Sequence, residues 1–162
     1  ASIIIAFASY NYTKDHDQQI AKFAQANEIS SWVMHDAKGN IQKTEDMSLR
    51  KVSIDTAADQ PIYDVVLTSG TYQGAGSDYL SGTDFTACIG TVPPGKFATY
   101  VPYPGEGMHA RIESAIAFRD NKGNNWIRDA KGILSEIKTN PYEYLKLDLP
   151  PENWQSLKSE GA

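Results

Sequence analysis

One cysteine, Cys88, occurs in the 162 residues, which excludes an internal disulfide and a cysteine-built zinc site. Histidine is nearly as rare, with only His16, His35 and His109. Basic residues are outnumbered, 15 Lys and Arg against 20 Asp and Glu, and the formal charge is −5. A protein that grips a phosphate backbone wants a basic face, so nucleic acid is not an expected partner. Long hydrophobic runs are absent too. The uncharged opening, Ala1 to Ser9, falls short of the roughly 20 apolar residues that cross a bilayer, and it lacks the basic n-region of a signal peptide. What is present suits one folded domain. Hydrophobic residues make up 41% and charged residues 22%, so the chain is neither disordered nor of low complexity. A chain of this length buries a core without disulfides or a structural metal.

Catalytic signatures are missing as well. Gly74-Ala75-Gly76-Ser77-Asp78 does not fit the G-x-S-x-G nucleophile elbow. Gly74 and Gly76 begin a dinucleotide fingerprint, but Tyr79 stands where its third glycine belongs. There is no P-loop, HExxH or EF-hand loop. Asp120-Asn121-Lys122-Gly123-Asn124 offers oxygen ligands, yet Lys122 would sit among them, and a turn is the simpler reading than a calcium site. Lys14-Asp15-His16-Asp17 reads as a solvated helix start, because no further ligand stands at metal spacing. Pairing His109 with Ser77 and Asp78 would supply the residue types of a hydrolytic triad, but nothing in the order of the chain brings them together. The sequence therefore supplies no catalytic residue, no metal ligand and no cofactor.

Three stretches of different character follow one another. Residues 1–30 hold the apolar stub and then DHDQQIAKFAQANEIS. Here Asp15 and Asp17 are N-cap candidates, and Ile20, Phe23, Ala24 and Asn27 keep helical spacing, which predicts a helix over 15–29. The stub itself is either an ordinary buried strand or helix start, or the last turns of a membrane helix, with Tyr10 and Tyr12 where the water interface would lie. Residues 31–138 turn to β character. Val52 and Ile54 alternate, IYDVVLT over 62–68 is rich in β-branched residues, FTACIGTV and KFATYV flank Pro93-Pro94-Gly95, and RIESAIAFR alternates over 111–119. The turns Asp120-Asn121-Lys122-Gly123 and Asp129-Ala130-Lys131-Gly132 bracket a short strand carrying Trp126 and predict a β-meander. The expectation is a mainly β, antiparallel sandwich, immunoglobulin-like or similar, preceded by one N-terminal helix. Residues 139–162 carry Pro141, Pro150, Pro151, Tyr142, Tyr144 and Trp154 and read as a tail packed on the domain, with a helical turn expected after Pro151.

The order QANEISSW, DQPIYDVVL, GTVPPGKF and GMHARIESAIAFRDNKGNNWIRDAKGILSEI resembles a group of uncharacterised actinobacterial membrane-anchored proteins. In that group a membrane helix is followed by a charged helix ending in Trp and then by a β-rich soluble domain. The resemblance covers about residues 18–155, and its most specific part is IAFRDNKGNNWIRDAKGIL. It implies a membrane-associated domain of unassigned side, because the stretch after the stub is acidic here where the group tends to be Arg-rich. It implies no activity.

Tyrosines are numerous, nine in all, and Tyr72, Tyr79, Tyr100 and Tyr103 fall in or beside loops. With His109 and Arg111 after a Gly/Pro loop, Tyr79, Tyr100 and Tyr103 form the candidate binding set, since tyrosine joins apolar area to a polar tip. The opposing reading is that these rings merely cover the ends of a sandwich. Three functions follow in order of expectation. The first is a non-enzymatic protein-interaction domain with a protein partner at a membrane, as an accessory subunit of a larger assembly. The second is a carbohydrate-type ligand-binding sandwich using loop aromatics. The third is a small hydrolase built near His109.

Overall fold

The computed structural model describes residues 2–34, 41–43, 48–74, 76–103 and 111–160, with side chains from Thr13 onward apart from 41–43. It opens on helix α1, Ser2–Asn27. The predicted start at Asp15 is corrected, because the helix begins at the apolar stub and runs through Asp15 and Asp17 without a break. No Gly or Pro interrupts residues 2–27, so nothing in the backbone forces a new start where the carboxylates stand. The amphipathic stripe is corrected too. Ile20 is 57% exposed and Phe23 36%, and only Ala26 is fully buried. Among the described side chains of the helix, from Thr13 on, burial is confined to the last turns.

One residue separates α1 from β1, Ile29–Val33. The other strands are β2 (Ile41–Lys43), β3 (Ser48–Thr56), β4 (Ile62–Gln73), β5 (Thr86–Val92), β6 (Gly95–Tyr103), β7 (Arg111–Arg119), β8 (Asn125–Arg128), β9 (Leu134–Ile137) and β10 (Lys158–Ser159), with a short helix α2 at Pro141–Tyr144. They form two antiparallel sheets. The first runs β1-β3-β6-β10 with β2 also on β3, and the second runs β5-β4-β7-β8-β9. The protein is thus mainly β and sandwich-like with one N-terminal helix, as its sequence predicts.

Alternation decides which side chains meet between the layers. Val52 and Ile54 from the first sheet face Leu67, Ile116, Phe118 and Trp126 from the second. The opposite residues of the second sheet, Val66, Cys88, Ala117 and Ile127, are covered by Leu145, Leu147, Tyr79, Tyr142 and Tyr144. That sheet is buried on both sides. This explains its continuous apolar runs where the first sheet alternates with charge.

The two D-x-K-G turns are built alike. Asp120 Oδ1 accepts the backbone N–H of Lys122 and of Asn124, both at 2.9 Å, while Oδ2 accepts Trp126 Nε1 at 2.9 Å. Asp129 Oδ1 accepts the N–H groups of Lys131 and Ile133. Gly123 and Gly132 take φ of 88° and 84°, left-handed values that a β-carbon would disfavour. The tail does pack on the body, but its helical turn lies before Pro150-Pro151, not after. Asn140 Oδ1 accepts Glu143 N–H at 2.9 Å and Pro141 opens the helix, the pairing that suits an N-cap and first turn.

Candidate functional site

Two seams close the sandwich, and the functional candidates lie beside one of them. β8 pairs with β7 only from Ile116 to Arg119. The remaining edge of β7 faces β1. There Ser31 Oγ and Ser114 Oγ share a 3.0 Å hydrogen bond, and the N–H of Val33 donates to Glu113 Oε1. Side chains, not a backbone ladder, join the layers here.

Arg128 completes the seam and fixes α1. Its Nε donates to Ile29 O at 2.8 Å, Nη1 to Gly132 O at 2.9 Å, and Nη2 to Ala26 O at 3.3 Å and Asn27 O at 3.4 Å. The last carbonyls of a helix have no partner within it, and the helix dipole favours a cation at that end. Burial lowers the Arg128 pKa, and the charge of Asp129 opposes that shift. Further contacts hold the same end of the helix. Phe23 lies over Trp126 with ring centroids 4.7 Å apart, and Lys22 Nζ sits 2.7 Å from Glu136. Gln25 donates to Pro61 O at 3.0 Å and accepts from Asn121 N–H at 3.0 Å.

A cleft of about 480 Å³ runs along this flank, with Tyr72, Gln73, Arg111 and Glu113 at one end and Arg128 and Lys131 at the other. Arg111 opens β7 opposite Gln73. Tyr72 is 47% exposed. Lys131 is held by Asp78 at 3.0 Å. Asp78 itself is pinned by backbone, its carbonyl accepting Ala130 N–H at 2.9 Å. Ser31 and Ser114 bring hydroxyls to its lining, Arg111, Arg128 and Lys131 cations, Glu113 and Asp129 carboxylates, and Tyr72 a ring. Such a surface can make hydrogen bonds and ion pairs. It lacks a nucleophile bonded to a base, and among the described residues no three His, Cys, Asp or Glu gather as metal ligands.

Of the residues expected to bind that are among the described ones, Arg111 alone lines this cleft. Tyr79 lies over the outer face of the second sheet, its hydroxyl 2.7 Å from that of Tyr144 and the ring centroids 5.7 Å apart. This bond and burial push the Tyr144 pKa up to about 12. Tyr103 is stacked under the Arg50 guanidinium, 4.9 Å away, beside a cavity between the sheets of about 10 Å³, room for about one water. Tyr100 lies on the outer face of the first sheet beside Lys51 and Lys158. The three tyrosines thus occupy three surfaces and form no row. His109 and His35 lie outside the described residues, and Asp78, one of the residue types a triad would use, is spent on Lys131. Cys88 is fully buried and its pKa is pushed up to about 11 by that burial, which leaves the thiol protonated and inert near neutral pH.

Sequence reasoning missed Glu113, Arg128 and Lys131. A signal for one existed. Arg111 and Glu113 stand two apart on a strand whose neighbours are apolar, so both point to one face. Nothing local announces that Arg128 reaches the end of a helix a hundred residues earlier. No protein-family model, curated protein or solved structure matches the chain.

Proposed function

We propose that the chain is a non-enzymatic interaction domain that works at a membrane, carried there by α1 and offering its flank cleft to a protein partner within a larger assembly. One observation carries the reading. α1 continues unbroken from Ile3-Ile4-Ile5-Ala6-Phe7 to a firmly capped end at Asn27, while Thr13 to Ile20 are exposed in succession. Helices in proteins gain most of their stability by packing an apolar face. The exposed turns bury no apolar face, and they are polar on nearly every side, as a solvent-bridging segment is. The apolar turns before them, followed by Tyr10 and Tyr12, have the composition of a segment that meets lipid and ends at its interface. No helix of the described residues is by itself long and apolar enough to cross a membrane, and the lipid contact proposed here is that of the apolar turns of α1.

The test uses the product of the complete gene. Cells are fractionated, and membranes are washed with alkaline carbonate. Retention in the washed membranes is expected, together with a partner cross-linked to the wild-type chain and lost with Arg111→Glu. Recovery in the soluble fraction, with a polar sequence upstream of Ala1, overturns the membrane part. A cross-link indifferent to Arg111→Glu overturns the flank as the contact.

A further inference from the structure

The second seam of the sandwich is closed by the chain's own C-terminal segment, residues 153–160. This segment bonds to the edges of both sheets. On β5, Cys88 N–H donates to Asn153 O at 2.7 Å and Gln155 N–H donates back to Cys88 O at 3.0 Å, a parallel pairing. On β6, Thr99 Oγ1 donates to Ser156 O at 3.1 Å, Lys158 and Ser159 pair antiparallel with Ala98 and Phe97, and Glu160 N–H donates to Lys96 O at 2.9 Å. Side chains add specificity. Leu157 packs against the core between the layers. Ser53 Oγ donates to Glu160 Oε2 at 2.9 Å. The Trp154 ring lies over Gly90, 3.5 Å from where a β-carbon would stand, an ordinary van der Waals distance. Main-chain pairing with pockets for alternate side chains is how sheets take up extended peptides.

We infer that this seat is an acceptor for an extended strand and that its occupant in trans is the 153–160 segment of a second copy of this chain. These contacts are made by edge backbone, an apolar gap and the hydroxyls of Thr99 and Ser53, and none needs the covalent link to the same molecule. The link is also slight. Between buried Leu147 and seated Asn153 lie Asp148, Leu149, Pro150, Pro151 and Glu152. Four of the five are exposed, and Leu149 is 62% so. A tether of this length spans at most about 18 Å when fully extended, and its two prolines limit the turns by which it folds back. Short, stiff connections favour exchange of a terminal element between copies, and a reciprocal exchange leaves no edge unpaired. The tether gives the segment an effective concentration on the order of millimolar in its own molecule. The exchanged dimer is therefore expected as protein concentration approaches that value.

The experiment uses the full chain with a protease site placed in the exposed 148–152 tether. Sedimentation across a concentration series is expected to show a monomer giving way to a dimer. Cutting the tether after assembly is expected to return the dimer to monomers that each keep a seated segment, because the tether is all that joins the exchanged copies. The cut chain is then expected to take up a labelled peptide of residues 150–162, and the peptide carrying Leu157→Asp about tenfold or more weakly. A chain that stays monomeric throughout overturns the inference. So does a dimer that survives the cut, which is joined by some other face. A cut chain that stays folded yet admits no peptide overturns the acceptor itself.

Discussion

In β7 of the second sheet, every residue from Ser114 to Phe118 is buried, whichever face it points to. In β3 of the first sheet, Val52, Ser53 and Ile54 are buried, while Lys51 and Asp55 on either side of them are only half covered. The second sheet is an interior layer with sheet on one side and tail on the other. The first is a lid whose outer face is covered only in part, around Ser53 and Ala98. The difference assigns work. The doubly covered sheet supplies rigidity, and contact surface is left to the first sheet and to the flank where β1 meets β7 without a ladder.

The largest effects should therefore come from the second sheet. Trp126→Ala is expected to cost about 3–5 kcal/mol, the range for large aromatic truncations in a core. The Trp126 ring is fully buried, and its loss also strips Asp120 Oδ2 of its donor. Trp126→Phe keeps most of the packing and should lose about 1–2 kcal/mol through that hydrogen bond. Urea unfolding of both variants checks the order. Equal losses would mean that the hydrogen bond, not the buried ring, dominates, and the layer would not be a packed interior.

Arg128→Gln comes next, at about 2–3 kcal/mol, since hydrogen bonds from a charged donor to several carbonyls are removed together. Hydrogen exchange should localise the damage to residues 22–28 and leave β4 protected. Gly70→Ala is expected to cost about 1–3 kcal/mol by overpacking. A β-carbon there would run into the Asp78 carbonyl oxygen and stand 2.9 Å from Ala130 Cβ, so the chain carrying Asp78 over the second sheet would have to shift. A neutral Gly70→Ala would show that this cover is loose and would erase much of the contrast between the sheets.

How much of this could be read from residues alone varies by element. The strand over 111–119 and the paired D-x-K-G turns were legible because period-two alternation and a turn aspartate are local signals. The start of α1 was not legible. Helix-capping residues in its middle look the same as caps at its end, and only the missing Gly or Pro argued otherwise. The tail's double pairing was illegible too, because residues 153–160 carry a strand's role without a strand's composition. The flank cleft was seen through Arg111 only. Its other members arrive from β8, the turn after it and β7, and convergence of distant segments leaves no mark on local pattern.

Alkali should act on the cover of the second sheet before anything else. Cys88 lies under it and Tyr142 and Tyr144 are part of it; burial raises the pKa of Cys88 and Tyr142, and the hydrogen bond with Tyr79, followed by burial, raises that of Tyr144. These groups are neutral when protonated, so the fold binds their protons more tightly than the unfolded chain does. Their contribution is fully present below the unfolded pKa and is lost as pH rises through the folded one. For Cys88 that window runs from 9.0 to about 11, and for Tyr144 from 10.0 to about 12. Unfolding midpoints should hold level through neutral pH and then decline, with the upper part of the decline absent in Tyr144→Phe. An unchanged alkaline profile in that variant would remove the tyrosine pair from the cover's stability.

The smallest effect is expected where function is proposed. Arg111→Ala and Tyr72→Ala should each change stability by no more than about 0.5 kcal/mol, as surface substitutions away from packed features do. Arg111 is exposed and its strand is held opposite Gln73 by backbone pairing, which any side chain permits. Tyr72 is 47% exposed at the far end of a strand whose buried part is complete by Gly70. Thermal melts should therefore overlay the wild type while a cross-linked partner is lost. If either substitution instead costs more than about 1 kcal/mol, the flank holds the layers together, and contact surface must be sought on the open face of the first sheet, where Tyr100 lies between Lys51 and Lys158.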